Sequence, residues 1–396
     1  MTEAKTTDLD LATLQQRALV AGVAMFALCG AGAVMNPAQF FRSYLAAYMF
    51  WIGIPLGSLG ILMLHHLVGG GWGFILRRVL ESSLWTLPLM LLLSLPLLFG
   101  MSDLYPWARA DQVAGAEVLR HRTGYMNAGF FAARGLLYFA VWGGLAYCLN
   151  RWSSEQDETG DPALARRLEV MSGPGLLLLF LTATFSSVDW VMSLEVEFFS
   201  TIYGLLFVVG DGLAALAFGV CAVGGLRHKK PLAAYVSIAR IHDLGNLMLG
   251  FVMLWAYIAF SQYLIIWSGN LTEEIPWYLA RTGGGWQWVI VVVVLLHFVV
   301  PFVALLSKDV KREARNLAGV AMLVGLMHIV DTYWIVMPAV RPTLAVHWLD
   351  FATLFTLAAI WKVISVWRLR GAALLAVGSF EEGLAHGAVG RIEQPG

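Results

Sequence analysis

Charge is scarce in this chain. Only 13% of its 396 residues are Asp, Glu, Lys or Arg, where a soluble domain carries roughly 25%, and that excludes a surface wetted on every side. No excess of one sign exists either. Net charge is zero and no extended basic block exists, which argues against nucleic acid as a partner. Cysteine is nearly absent: Cys29, Cys148 and Cys221 each fall inside an apolar run. None has CxxC or CxxCH spacing, which speaks against thiolate metal sites, thioredoxin-like redox chemistry and covalent c-type haem, so the three read as packing residues. The opening MTEAKTTDLDLATLQQ lacks the basic n-region and small-residue cleavage site of a secretory signal, so the first apolar run is expected to stay as a helix.

What the chain does have is hydrocarbon. It is 59% hydrophobic with a mean hydropathy of +0.71. Its 16 Trp and 40 Gly suit a membrane bundle, where Trp sits at interfaces and Gly allows close helix contact. A bilayer core takes about 20 apolar residues per helix. Such runs fall near 18–34, 44–67, 84–100, 128–149, 172–193, 201–224, 245–267, 284–306, 316–337 and 345–367. The third is the weakest, short and holding Pro88 and Pro96.

Basic residues orient these spans. Arg42, Arg109, Arg120, Arg122, Arg281 and Arg341 fall in one set of loops, and Arg134 and Lys362 within spans. All other Lys and Arg, among them Arg77, Arg78, Arg166, Arg167, Lys229, Lys230, Lys308, Lys311, Arg368 and Arg391, fall on the opposite side. The positive-inside rule places that side, with both termini, in the cytoplasm. The expected fold class is an all-α membrane protein of about ten transmembrane helices without a soluble insert. Residues 1–16 form a cytoplasmic N-terminal segment and 371–396 a cytoplasmic tail. Spans two to five and six to nine are compatible with two four-helix bundles.

Three stretches are more specific than composition. Residues 39–73 read QFFRSYLAAYMFWIGIPLGSLGILMLHHLVGGGWG, residues 186–204 SSVDWVMSLEVEFFSTIYG, and residues 241–281 IHDLGNLMLGFVMLWAYIAFSQYLIIWSGNLTEEIPWYLAR. From about residue 17 to 370 the chain resembles the smaller polysulfide-reductase-like (NrfD-type) membrane subunit of alternative complex III, the ActF family. The resemblance implies one ten-helix domain over 17–370, with two four-helix bundles flanked by spans one and ten, in the bacterial cytoplasmic membrane. It implies a subunit without metal or covalent cofactor, beside which quinol (menaquinol or ubiquinol) is oxidised. Electrons would leave through partners: a larger NrfD-like membrane subunit, an iron–sulfur subunit, and multihaem and monohaem cytochrome c subunits.

Ionisable groups inside a bilayer cost about 2.5–3.5 kcal/mol each on insertion scales and are therefore the candidate site. Asp189, near the outer end of span five after Ser186 and Ser187, is placed to take a proton from quinol and pass it outward through Glu195 and Glu197; an interfacial acid satisfied by neighbours fits equally. His328 and Asp331, three apart on span nine, share a helical face and offer a hydrogen-bond acceptor to a quinol oxygen; a structural His–Asp pair would look the same. His347 and Asp350 repeat that spacing at the start of span ten. With Asp189 and Asp331 they suggest one outer cluster drawn from four helices, which Arg134 is placed to neutralise, unless it serves a structural ion pair. Asp211, amid small residues in span six, and His297 in span eight lie at mid-depth as proton stations. Pro301 cannot donate to the His297 carbonyl. At the inner side His65, His66, His242 and Asp243 offer a proton intake, Asp243 equally an N-cap of span seven. Lys362 is long enough to snorkel. His297 and His328 also match in depth as haem b ligands, a reading the resemblance disfavours. The outer loop 268–284, with Glu273, Glu274, Pro276, Trp277 and Tyr278, suggests a short helix with two interfacial aromatics, facing a periplasmic partner. A proton-coupled secondary transporter and a purely structural scaffold are the competing functions.

Overall fold

A computed structural model describes residues 2–229 and 232–371, with side chains from Leu11 onward. Lys230, Arg391 and all but the first residue of the expected 371–396 tail lie outside the described residues. Among the described residues the chain is helical throughout, without a strand.

Ten helices are long and apolar enough to cross a membrane: α1 (Leu11–Met35), α2 (Pro37–Val68), α3 (Gly71–Phe99), α4 (Ala128–Thr159), α5 (Pro162–Leu194), α6 (Tyr203–Leu226), α7 (Ile238–Gly269), α8 (Trp286–Leu306), α9 (Ala314–Ala339) and α10 (Trp348–Arg370). Each overlaps one expected span. The largest difference is α3, which begins at Gly71 rather than near residue 84. Arg77 and Arg78 had marked that stretch as a loop. They are instead buried in the helix and neutralised there, as described below. The two prolines then break α3 into Gly71–Leu84, Leu87–Leu93 and Leu95–Phe99, with Pro88 and Pro96 each in the first turn of the next piece. A proline ring has no N–H to donate and is best accommodated in the first turn of a helix. Carbonyls near the breaks are met by α2: Tyr48 donates to Met90 (3.0 Å) and Tyr44 to Leu93 (2.6 Å).

Helices α2 and α6 are the most enclosed of the ten and lie against each other. Around α2 pack α3, α5 and α10; around α6 pack α7 and α9. The hydrophobic core runs between them, with Tyr48, Leu59, Met63, Leu213 and Leu216 fully enclosed. Small residues set how near the central pair approaches. A Cβ on Gly57 would overlap the backbone carbonyl of Asp211, and one on Gly53 would overlap its carboxyl. The Gly53-x-x-x-Gly57 spacing puts both on one face, the arrangement that lets two apolar helices touch backbone to backbone. Helix α1 leans almost wholly on α10 and leaves Val20, Val23 and Phe26 exposed.

Candidate functional site

The mid-depth polar residues assemble where α2, α6, α7, α8 and α9 meet. Asp211 is buried on α6 and, among the described residues, no side chain donates to its carboxyl. Asp211 also lines a cavity of about 140 Å³ that follows α2 from Leu56 to Leu64, with Leu176, Leu179 and Phe251 on its walls. At 1.5 Å per residue it reaches from Asp211 about two turns along α2, to the neighbour of His65.

His328 lies on the other side of Asp211. Its ring edge rests on Gly210, where a Cβ would come within 2.7 Å of Cε1. His297 follows, ring centroid 5.8 Å from that of His328, and Trp255 covers His297 at 4.3 Å. Trp255 donates its indole N–H to Asp331 Oδ2 (3.1 Å), which leaves His328 Nδ1 3.9 Å from that same oxygen. The expected His328–Asp331 pair is therefore adjacent without being hydrogen-bonded. Among the described residues, both ring nitrogens of His297, and Nδ1 of His328, find no partner, although His297 is fully enclosed. A buried polar group left unmet costs about 1–3 kcal/mol, so three in one cluster call for a functional explanation.

The local fold explains how His297 is presented. Residues Val294–Val299 wind as a π-helix, and Pro301 follows inside the next turn. Such a widened turn is a distortion often found at functional sites.

Toward the cation-poor end, the single outer cluster expected from depth is replaced by three separate constellations. Arg134 holds Asp189 with a two-pronged fork, Nε to Oδ2 at 2.7 Å and Nη2 to Oδ1 at 3.0 Å, and Tyr138 donates to Oδ2 at 2.7 Å. The rings of Tyr125 and Phe130 lie over the guanidinium at 3.7 and 4.5 Å. Burial, with Asp189 nearby, raises the Tyr125 phenol above its ordinary range. The second constellation holds Asp350 between Arg341 (3.1 Å), Tyr333 (2.8 Å) and Ser43. The third holds Glu195 on Arg281 at 2.8 Å. Each acid lies beside its own arginine, and fork-shaped pairing satisfies it locally. Arg134 thus neutralises Asp189 alone, and Glu195 is tied to Arg281 rather than continuing a path from Asp189. Glu197 is exposed. The His347–Asp350 spacing is a cap: His347 Nδ1 accepts from the Leu349 N–H, and Asp350 accepts from the His347 N–H, closing a reciprocal box at the start of α10.

Other expectations change as well. Pro276 does start a short helix, Ile275–Thr282, but Trp277 turns inward, 2% exposed and stacked on Phe198. Its ring also carries the Arg281 guanidinium at 3.7 Å, which draws it into the bundle. Tyr278 is partly buried and, with burial, its phenol rises above the ordinary range. At the cation-rich end His65 and His66 sit side by side, and His65 packs on Trp72. His242 instead meets Asn246 (3.2 Å), which accepts from Lys311 (2.8 Å). No hydrogen bond or ring contact among the described residues joins the two groups into one intake. The cap of α7 is Ser237; Asp243 is exposed one turn later.

Sequence reasoning missed the most heavily charged buried group. Arg77 donates to Glu81 (3.0 Å), Ser153 (2.9 Å) and Gln156 (3.2 Å); Arg78 donates to Glu81 (2.6 Å) and Ser153 (3.0 Å) and pairs with Asp157. The i,i+3 and i,i+4 placement of Glu81 relative to the two arginines was a readable signal. Comparisons with known proteins add no relative: no family model matches this chain, and no curated protein matches it.

Proposed function

We propose that this chain is a cofactor-free membrane subunit of a quinol-oxidising electron-transfer complex, of the smaller NrfD-type kind in alternative complex III, and that it conducts protons through Asp211, His328, His297 and Asp331. One observation carries the proton-conducting reading: among the described residues, His297 and His328 keep three buried imidazole nitrogens unmet beside Asp331, and His328 rests on Gly210, the neighbour of the buried, cavity-lining Asp211. Groups kept for structure alone would be paired, as Asp189, Asp350 and Glu81 are. Imidazole and carboxyl side chains exchange protons without needing a metal, and a mobile proton or water is what such a cluster can serve.

In this reading both termini face the cytoplasm of a bacterium, and α2–α5 and α6–α9 are two four-helix bundles flanked by α1 and α10. The packing of α3 and α5 on α2, and of α7 and α9 on α6, supports the grouping. Electrons pass through haem and iron–sulfur partners, and menaquinol or ubiquinol is the reductant. A tagged chain is expected to co-purify with haem and iron–sulfur subunits. In that complex, Asp211→Asn and His328→Ala should lower protons moved per quinol oxidised while quinol oxidation persists. Isolation of the tagged chain as a lone, active transporter, or unchanged proton movement in both variants, overturns the proposal.

A further inference from the structure

A second cavity, lined by several helices, lies away from the proton cluster, toward the cation-rich end. It holds about 720 Å³ between α1, α2, α3, α6, α9 and α10, within the roughly 300–1,000 Å³ of built ligand sites. Its lining changes character along its length. The deep end is hydrocarbon and aromatic ring, from Trp51, Phe218, Leu354 and Phe355. The other end carries Lys229 and Lys362, with Ser82 and Ser365, whose hydroxyls meet at 3.1 Å. From Leu354 to Leu369 the α10 wall is about 22 Å long at 1.5 Å per residue, the scale of one fatty-acyl chain and part of a headgroup.

Two further features bear on the occupant. Trp361 lines the cavity and is 3% exposed, yet among the described residues its indole N–H has no acceptor. Lys362 follows it, and among the described residues no carboxylate pairs with it. The other indole of the wall, Trp51, is already committed to the Leu354 carbonyl at 3.0 Å. The polar groups thus gather at one end, where cations predominate, and the deep end offers no second free donor for a ligand with two opposed carbonyls.

We infer that this cavity binds an anionic phospholipid, its phosphate at Lys362 and one acyl chain laid along α10 toward Trp51. A basic pocket between membrane helices with an apolar floor is the chemistry that recognises an acidic headgroup. Helix α1 contributes Leu11 and Leu14 to the wall and rests on little but α10, so the lipid chain fills the space between α1 and the rest of the bundle. The inference stands on the cavity's own lining and is independent of proton conduction.

Native mass spectrometry of the protein, extracted in mild detergent within its natural assembly, tests it. The membranes should contain phosphatidylglycerol and phosphatidylethanolamine. One phosphatidylglycerol per chain should survive extraction. Lys362→Gln, on an exposed side chain that the fold does not need, should reduce its retention about five-fold, and Ala222→Phe, which fills the cavity, should abolish it. Equal retention in both variants overturns the inference, as does exchange for phosphatidylethanolamine without loss, or a quinone found in the lipid's place.

Discussion

Arg134 and Asp189, 55 residues apart in sequence, meet in a bidentate ion pair that Tyr138 completes. The carboxylate is 1% exposed. Breaking a buried pair by removing one partner strands the other charge and costs about 3–5 kcal/mol. Arg134→Ala and Asp189→Ala should each lower thermal stability of the purified protein on that scale. The double substitution with apolar residues, Arg134→Met with Asp189→Leu, should cost less than the two single changes summed. Additive losses in a thermal-shift cycle would show that the two side chains do not act as one unit.

The proton cluster should show the opposite balance. His297 has both nitrogens unmet, so His297→Phe removes groups that cost the fold about 1–3 kcal/mol each and keeps a flat ring against Trp255. Stability is expected to be unchanged or raised while proton movement falls. A variant that unfolds earlier but moves protons normally would contradict both halves.

Glycine spacing on α2 predicts a graded response. Gly57→Ala forces a methyl into the Asp211 backbone carbonyl, so α2 and α6 must part. Loss of monodisperse protein on size-exclusion chromatography is the expected readout. Gly225→Ala meets nothing within 4 Å and should behave as the unsubstituted protein. If the two substitutions were equally tolerated, the close approach of α2 and α6 would be wrong.

In the charged group at the other end, Glu81 accepts from both Arg77 and Arg78. Glu81→Gln leaves two buried guanidinium groups with Asp157 alone as counter-charge and should destabilise by about 3–5 kcal/mol. Exchanging the exposed ion pair of Arg166 and Glu169 should change stability by less than about 1 kcal/mol. Chemical-denaturant or thermal unfolding of both variants separates a buried lock from a solvated pair.

The cap at α10 allows a smaller test. Because His347 contributes one acceptor, His347→Ala should cost about 0.5–2 kcal/mol, the usual worth of an N-cap. Asp350→Ala should cost more, since it also strands Arg341. If His347 were instead a proton carrier, its removal would leave stability intact and alter proton movement.

These residues also mark where the sequence could be read and where it could not. All ten helices were legible, because crossing a bilayer demands about 20 apolar residues and the chain meets that demand ten times. The start of α3 was not. Arg77 and Arg78 resemble a cytoplasmic loop until Ser153, Gln156 and Asp157 arrive from α4. The spacing of His328 and Asp331 gave adjacency correctly, but the hydrogen bond went to Trp255, 76 residues away. His347 and Asp350 show the same spacing and serve as a cap, since a first turn leaves N–H groups that nearby acceptors must meet.

By itself, then, the sequence determined that the chain is a bundle of ten apolar helices and that a few ionisable groups must lie among them, because hydrophobicity and helical period act locally. Only the tertiary structure decided which of those groups are locked, as Asp189, Asp350 and Glu81 are, and which stay unmet, as His297 does. Pairing depends on which helices become neighbours, and that is set by packing between segments far apart in the chain.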